Sequence, residues 1–210
     1  MGSFFQHRFR YFVLKARDSI SAHIESYETG KMSTKELFNR MWKDVYEDRL
    51  TVMKRYGGAA MEPTIYDGEK ILVRKIPFPS TRTLFVGDVI LHKHHGDSTI
   101  EQESCLGVAR IAAMEGEEMV STNENDLPFV LQKGECWVLF DNEAHKTKDC
   151  TDSRSFGPLS LGKIIGRVLY AFKSSTDHGQ VKNSQEAMYE DSSVLSVELD
   201  LDELASSENK

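Results

Sequence analysis

The sequence contains no long hydrophobic run. No uninterrupted apolar stretch reaches the roughly 18 to 20 residues that a transmembrane helix needs, so the sequence predicts no membrane-spanning helix. The best apolar run, residues 164–172, is interrupted by Arg167, and we interpret it as a β-strand.

The sequence also has few cysteines, and its net charge is negative. Cys105, Cys136 and Cys150 stand far apart and form no Cys-x-x-Cys pair, which argues against a thiolate zinc site and a disulfide framework. A net charge of −7 argues against a nucleic-acid partner. The 210 residues are nevertheless 40% apolar, enough to bury the core of one domain with appendages. We expect no metal and no cofactor.

Residues 1–55 predict two helices. The first 17 residues carry four basic side chains and no acidic one. Apolar residues recur there at helical spacing, which predicts a helix with an apolar stripe and a basic opposite face. Such a helix fits a mitochondrial targeting signal, an anionic membrane surface, or packing on its own domain or a partner. The stripe consists of Phe5, Phe9, Phe12, Ala16, Ile20 and Ile24.

A second helix is expected after a short loop at residues 29–31. Ser33 and Glu36 have the spacing of a capping box, and the helix should run to about Arg49. Its apolar face would comprise Leu37, Met41, Trp42 and Val45.

Residues 56–172 alternate short apolar strands with polar turns. This pattern favours a mainly β domain with a coiled or barrel-like sheet. The strand candidates are residues 70–75, 85–91 (a turn, then a strand), 105–114, 118–121, 135–140 and 164–172.

Residues 173–210 are predicted to be an acidic tail. Apolar and polar residues alternate near its end, which predicts one strand that joins this sheet, pairs with another protein's sheet edge, or docks from a solvated tail. The alternating residues are Leu195, Val197, Leu199 and Leu201.

Four motifs within residues 55–172 resemble the type I signal peptidase family, particularly its mitochondrial inner-membrane protease branch. Gly58, Met61, Pro63 and Thr64 are similar to a Gly-x-Ser-Met-x-Pro-Thr run, with Ala60 in place of the serine. Gly87 and Asp88 lie in a segment similar to the family's Gly-Asp-Val/Ile-Val.

The remaining two motifs follow in the family's order. Ala109-Arg110 is similar to Lys-Arg, with alanine in place of the lysine. The fourth motif resembles Gly-Asp-Asn…Asp-Ser-Arg-x-x-Gly, with Phe140 in place of the first glycine, and its matching residues are Asp141, Asn142, Asp152, Ser153, Arg154 and Gly157. We expect these to be structural, with Asp152 and Arg154 in an ion pair or hydrogen-bond network.

The resemblance implies a serine hydroxyl activated by a neutral, desolvated lysine, and an acyl-enzyme intermediate. Here both members of the dyad are missing, at Ala60 and Ala109. Residues 113–117 also depart from the family's Gly-x-Pro-Gly-Asp segment. Without a nucleophile the covalent route is absent rather than slowed.

Several other residues could supply chemistry by type alone. We expect Lys70, Lys75, Ser80 and Ser98 to be solvated surface groups, and Cys105 to be a packed thiol with no base beside it.

A histidine-rich run could hold a metal. His92, His94, His95 and Asp97 are suitable transition-metal ligands. Because the run follows a strand and ends in Gly-Asp, we interpret it as a polar hairpin.

The resemblance therefore implies a catalytically inactive subunit of a mitochondrial, inner-membrane-associated complex. Its partners would be protein subunits, an extended peptide in the former substrate groove, and the membrane surface through the first helix. The alternative is a serine endopeptidase subunit that removes presequences with another nucleophile or a partner's dyad. A related self-cleaving repressor domain is disfavoured by the acidic charge and the lack of a DNA-binding signature.

Overall fold

Four α-helices and ten short strands form the part of the chain that the computed structural model describes, residues 2–93, 106–120, 127–142 and 152–199. The helices are α1 Gly2–Glu28, α2 Thr34–Glu47, α3 Ser153–Phe156 and α4 Gln185–Glu198. The strands are β1 Thr51–Arg55, β2 Lys70–Lys75, β3 Val89–Lys93, β4 Leu106–Met114, β5 Glu118–Met119, β6 Phe129–Val130, β7 Glu135–Leu139, β8 Leu159–Ser160, β9 Ile164–Phe172 and β10 His178–Gln180.

The strands form a curled antiparallel sheet in the order β1-β2-β9-β3-β4-β7-β8, and β10 pairs with β9 beside this path. β5 and β6 pair with each other separately. Successive strand residues point to opposite faces, and both faces are packed. In β3, Val89 and Leu91 join one apolar cluster and Ile90 joins the other. The predicted signal-peptidase-like β domain, preceded by two helices, is confirmed.

The ends of these elements also match the sequence pattern closely. The Ser33 hydroxyl accepts a hydrogen bond from the Glu36 backbone N–H, and the Glu36 carboxylate accepts one from the Ser33 N–H, which completes the predicted capping box. The strands predicted at 70–75 and 164–172 have those bounds, and those predicted at 105–114 and 135–140 differ by one residue.

The strand predicted in the acidic tail is wrong. Residues 185–198 form helix α4 instead, and Ser184 caps it by accepting a hydrogen bond from the Ala187 N–H. The helix buries one side, at Ala187, Asp191 and Val194, whose spacing of three or four is helical. The alternating residues behind the strand prediction are Leu195, Val197 and Leu199, together with Leu201, which lies outside the described residues.

Helix α1 turns its charged side inward and its apolar stripe outward. Tyr11, Leu14, Lys15 and Asp18 are buried against the rest of the protein. The predicted stripe is instead largely exposed, by 63% at Phe9, 46% at Phe12 and 40% at Ile20. Packing on its own domain, one of the three interpretations of this helix, therefore uses the face opposite to the apolar stripe. No helix among the described residues combines the length and apolarity that crossing a membrane requires.

Two fully buried arginines join the sheet to the helices. Arg74 of β2 and Arg167 of β9 stand directly opposite each other on paired strands, where two like charges repel. Three buried carboxylates offset that repulsion. Arg74 lies 3.1 Å from both Asp18 of α1 and Asp191 of α4. Arg167 donates to Asp88 at 2.9 Å and also to Asp191.

The last turn of α4 secures the first strand. The Glu198 carboxylate accepts hydrogen bonds from the backbone N–H of Leu50 at 2.7 Å and of Thr51 at 3.0 Å, and from the Thr51 hydroxyl at 2.6 Å. The Tyr11 hydroxyl of α1 donates to the same carboxylate. Strand β1, which sequence patterns did not predict, is thus held by both ends of the chain. The division into residues 1–55, 56–172 and 173–210 stays a prediction, and contacts cross both of its boundaries.

Replacing Asp191 should strongly destabilise the fold. Asp191→Ala leaves two buried guanidinium groups with one fewer carboxylate, and we expect unfolding free energy to fall by about 3–5 kcal/mol. The neighbouring Glu190 pairs with Arg17 at the surface, so Glu190→Ala should cost less than about 1 kcal/mol. Urea unfolding of both variants measures the difference. Equal losses would show that the buried network does not dominate α4 docking.

Gly166 should tolerate no side chain. A Cβ there would stand 2.0 Å from the backbone oxygen of Arg74, whereas a Cβ on Gly179 of β10 would meet nothing within 4 Å. We expect Gly166→Ala to lower the stability by about 3 kcal/mol or more, because β2 and β9 must separate. Gly179→Ala is the matched control and should leave the thermal midpoint nearly unchanged. A Gly166→Ala protein as stable as this control would contradict the close approach of β2 and β9.

Candidate functional site

The loop after β1 carries the motif in which alanine replaces the family's serine. Met61 and Ile65 are fully buried and anchor the loop in the core. The backbone N–H of Met61 donates to the Tyr56 hydroxyl at 3.1 Å, and the Glu62–Pro63 peptide bond is cis. Gly58 has φ +104°, a conformation that side chains disfavour, which accounts for glycine there.

Asn142 holds this loop against the end of β7. Its backbone N–H donates to the carbonyl of Ala60 at 3.0 Å, and its side-chain amide donates to the carbonyl of Ala59 at 2.9 Å. Both bonds use only the loop backbone, so they do not depend on which side chain position 60 carries.

Arg110 and Asp141 tie the loop to strands β4 and β7. The Arg110 guanidinium donates to both Asp141 carboxylate oxygens, at 2.8 and 2.6 Å, and to the Gly87 carbonyl at 2.7 Å. The Thr64 hydroxyl donates to the same carboxylate. Burial alone raises the pKa of Asp141, but the hydrogen bonds from Arg110 and Thr64 outweigh it, and the pKa lies below its ordinary value of 3.8. Asp141 is therefore an anchor that stays ionised.

Asp88 is fully buried and satisfies donors from three parts of the chain. Besides Arg167, it accepts the Phe85 N–H at 3.0 Å and the Ser184 hydroxyl at 2.6 Å. Gly87 precedes it with φ +94°. This motif links the turn before β3 to the cap of α4.

The 152–157 motif forms the short helix α3 beneath β7. Asp152 caps the helix and pairs with Arg154 at 2.6 Å, so the expected ion pair is present. The Ser153 hydroxyl accepts the Val138 N–H at 2.9 Å. Gly157 ends the helix at φ +82°. These side chains satisfy local backbone groups.

The two alanines occupy buried positions with no chemistry of their own. Ala60 is 4% exposed. Ala109 is fully buried, pairs with Ile90 across β3 and β4, and packs in the apolar cluster with Val138. The positions are connected through Arg110, the neighbour of Ala109, and through Asp141 to Asn142 and the Ala60 carbonyl.

The other candidates lie in ordinary structural settings. Lys70 and Lys75 are at the two ends of β2, and Lys75 is exposed. Ser80 caps a turn in which its backbone N–H donates to the Thr83 hydroxyl at 3.0 Å. Ser98 and Cys105 lie outside the described residues.

The histidine run begins inside strand β3, which pairs antiparallel with the next strand, β4. His92 is buried in β3, and its Nδ1 lies 3.0 Å from the Lys93 carbonyl oxygen. A Cβ on Gly107 would stand 2.8 Å from the His92 ring, so the ring fills the space over that glycine. The strand therefore extends two residues beyond its predicted end at residue 91, and His92 is a buried strand residue, not part of a polar turn. His94, His95 and Asp97 lie outside the described residues. Within those residues, no group of three His, Cys, Asp or Glu side chains is placed to hold a metal ion.

The sequence patterns did not predict several residues that hold the sheet and helix α4 together around Asp88. Sequence patterns gave Arg167 as an interruption of an apolar run and as part of the strand that follows the fourth motif, and neither indicates the buried acid that a charge in a buried strand requires. The spacing of Ala187, Asp191 and Val194 was the available signal for α4. Asn183, which donates to the Val168 carbonyl and accepts the Val89 N–H, had no sequence signal.

Comparison with known proteins places these motifs in context. The chain is 42% identical over 198 residues to the mitochondrial ATP-independent inner membrane protease subunit 2 of Arabidopsis thaliana, covering 94% of each chain. It is 26% identical over 133 residues to mitochondrial inner membrane protease subunit 1 of Mus musculus and of Homo sapiens, covering 60% of this chain and 72% of each relative. No protein-family model matches the chain.

Removing the Asp141 charge should destabilise the protein at neutral and mildly acidic pH, and less at strongly acidic pH. Because the folded-state pKa of Asp141 is depressed, its contribution is present above pH 3.8 and is lost as the pH falls through the folded-state value. We expect Asp141→Asn to cost about 1.5–3 kcal/mol at pH 7, with a gap to the native protein that narrows below pH 4. Urea titrations across pH measure this gap.

The exposed Lys173–Asp177 pair provides the control for that experiment. Asp177→Asn should cost less than about 1 kcal/mol at neutral pH. A gap for Asp141→Asn that is independent of pH would contradict the ionised anchor.

Proposed function

Because this chain belongs to the mitochondrial inner membrane protease family, within the signal peptidase-like proteins, we propose that it is a non-catalytic subunit of a protease complex at the mitochondrial inner membrane. The observation that carries the proposal is the alanine pair at the family's nucleophile and base positions. Neither a hydroxyl at position 60 nor an amine at position 109 is available for acyl transfer.

The surrounding framework supports a scaffold role. Asn142 holds the loop through backbone carbonyls, and Arg110 and Asp141 hold the flanking strands, all without the missing groups. The loop shape is therefore compatible with the fold whether or not chemistry takes place. A general-base lysine requires a desolvated setting, and the Ala109 position is fully buried within an apolar cluster.

The proposed location and partners of this chain are inferred from its relatives. Their names place them in inner membrane proteases as subunits 1 and 2, which supports protein partners for this chain, including a catalytically complete relative. The former substrate groove would then hold an extended peptide for the partner or be filled by side chains. The alternative is that this chain takes part in presequence cleavage, with another nucleophile or with a partner's dyad.

The purified protein should neither cleave presequence peptides nor react with serine-directed probes. Ala60→Ser combined with Ala109→Lys tests whether the scaffold can still place a dyad, and we expect probe labelling above background in this variant. Burying the lysine amine lowers its pKa, as a general base requires, and should also lower the thermal midpoint. Mass spectrometry of the labelled peptide identifies the site.

Neighbouring alanines provide the matched control. Ala59→Ser with Ala113→Lys introduces the same two groups one residue before position 60 and four residues after position 109, and this variant should remain unlabelled. Turnover or labelling of the unmodified protein would contradict the proposal. Native-size analysis of mitochondrial membrane extracts then asks whether a complete relative co-migrates in stoichiometric amounts, and migration as a monomer would contradict the subunit role.

A further inference from the structure

The two N-terminal helices expose an unusual amount of aromatic surface. Of the described residues, eight large apolar side chains on α1 and α2 are 39–74% exposed. The six aromatic ones alone leave roughly 500–800 Å² in water, at about 150–250 Å² per aromatic side chain. The largest apolar patch of a typical monomer is only about 300–600 Å². We call these eight residues the aromatic face: Phe9, Phe12, Val13, Ile20, Tyr27, Phe38, Trp42 and Tyr46.

This exposure follows from how α1 is oriented, not from loose packing. Its polar side is already partnered, because Arg17 pairs with Glu190 of α4, Asp18 pairs with Arg74, and the Arg10 guanidinium covers the Tyr189 ring. Turning the apolar stripe inward would break these pairs. The helix is therefore fixed with its apolar side outward.

The α2 part of the face is an ordered aromatic ladder. Phe38, Trp42 and Tyr46 are spaced four apart, with an edge-on contact of 5.7 Å between the first two ring centroids and a stacked contact of 5.5 Å between the second two. Between α1 and α2 lies an open apolar groove of about 340 Å³, lined in part by Val13, Ala16 and Met41.

Two lysines lie beside the ladder, on a helix that carries three basic and three acidic side chains. Lys35 and Lys43 are exposed and flank Asn39 at spacings of four, on the side of the helix next to the ladder. Lys43 also lies 3.9 Å from Glu47 in a surface pair, while Glu36 is engaged in the helix cap. Trp and Tyr rings beside lysines form the combination that settles at the boundary between lipid headgroups and acyl chains.

We propose that the aromatic face is the site at which this protein binds the surface of an anionic lipid bilayer, with the ladder rings at headgroup depth and Lys35 and Lys43 against the phosphates. Aromatic rings beside two exposed lysines set this side apart in a chain whose net charge is −7. The inference rests on the proposed inner-membrane location but not on the loss of the dyad.

Flotation of the full chain with vesicles tests the proposal. Vesicles of equal parts phosphatidylcholine and phosphatidylglycerol should bind the protein, binding should weaken as salt rises, and pure phosphatidylcholine should bind less. Phe38→Ser with Tyr46→Ser should lower the partition coefficient at least about tenfold, because both side chains bury apolar area on binding. Lys35→Glu with Lys43→Glu should lower it on anionic vesicles only.

Matched substitutions elsewhere on the protein control for the nonspecific loss of exposed apolar surface or of positive charge. Val120→Ser with Leu127→Ser removes two more exposed apolar side chains, 73% and 87% exposed, and should change binding less than about twofold. Lys54→Glu with Lys133→Glu provides the same control for charge. Circular dichroism and the thermal midpoint should be unchanged in all four variants, since the substituted side chains are exposed.

Three results would overturn the proposal. The protein would fail to float with anionic vesicles, or the face and control variants would lose binding equally. Alternatively, sedimentation velocity without lipid would show a dimer that Phe38→Ser with Tyr46→Ser dissolves, which would assign the face to a second copy of the chain. Because none of these measurements involves cleavage, their failure would leave the peptidase test of the proposed function untouched.

Discussion

The paired charges of Arg74 and Arg167 are the constraint on which the arrangement of helices and sheet depends. Two fully buried guanidinium groups stand on directly paired residues in the interior of a sheet. The carboxylates that offset them come from α1, from the turn before β3 and from α4. Burial raises the pKa of Asp191 despite its two cationic neighbours, because the carboxylate is shielded from water. Each of the three segments therefore has one permitted position over the sheet.

That constraint explains which parts of the fold the sequence could predict. Strands such as Lys70–Lys75 and Ile164–Phe172 were found because their own apolar pattern stabilises them locally. The capping box at Ser33 is local as well. Helix α4 was missed because its inward side carries an aspartate, whose partners are Arg74, more than a hundred residues earlier, and Arg167 in β9. The apolar periodicity of a segment cannot predict a helix that is stabilised by an ion pair with residues distant in sequence.

The candidate site shows the same division between local and distant information. Short motifs singled out the Ala60 loop, Arg110 and Asp141 one by one, and the hydrogen bonds of the structure join all three segments. The role of Asn142 as a clasp on the loop backbone required three-dimensional geometry. The loop bonds use main-chain carbonyls at positions 59 and 60, so a change of side chain there leaves the clasp intact. A scaffold of this kind can lose its chemistry while keeping its shape.

The hydrogen bonds that Glu198 accepts from the start of β1 have a consequence for the order in which the chain folds. The backbone N–H groups of residues 50 and 51 donate to a carboxylate nearly 150 positions later in the chain. Contacts so distant in sequence close slowly, whereas β1 can pair with the nearby β2 first. The support from Glu198 should therefore be one of the later contacts to form as the chain folds.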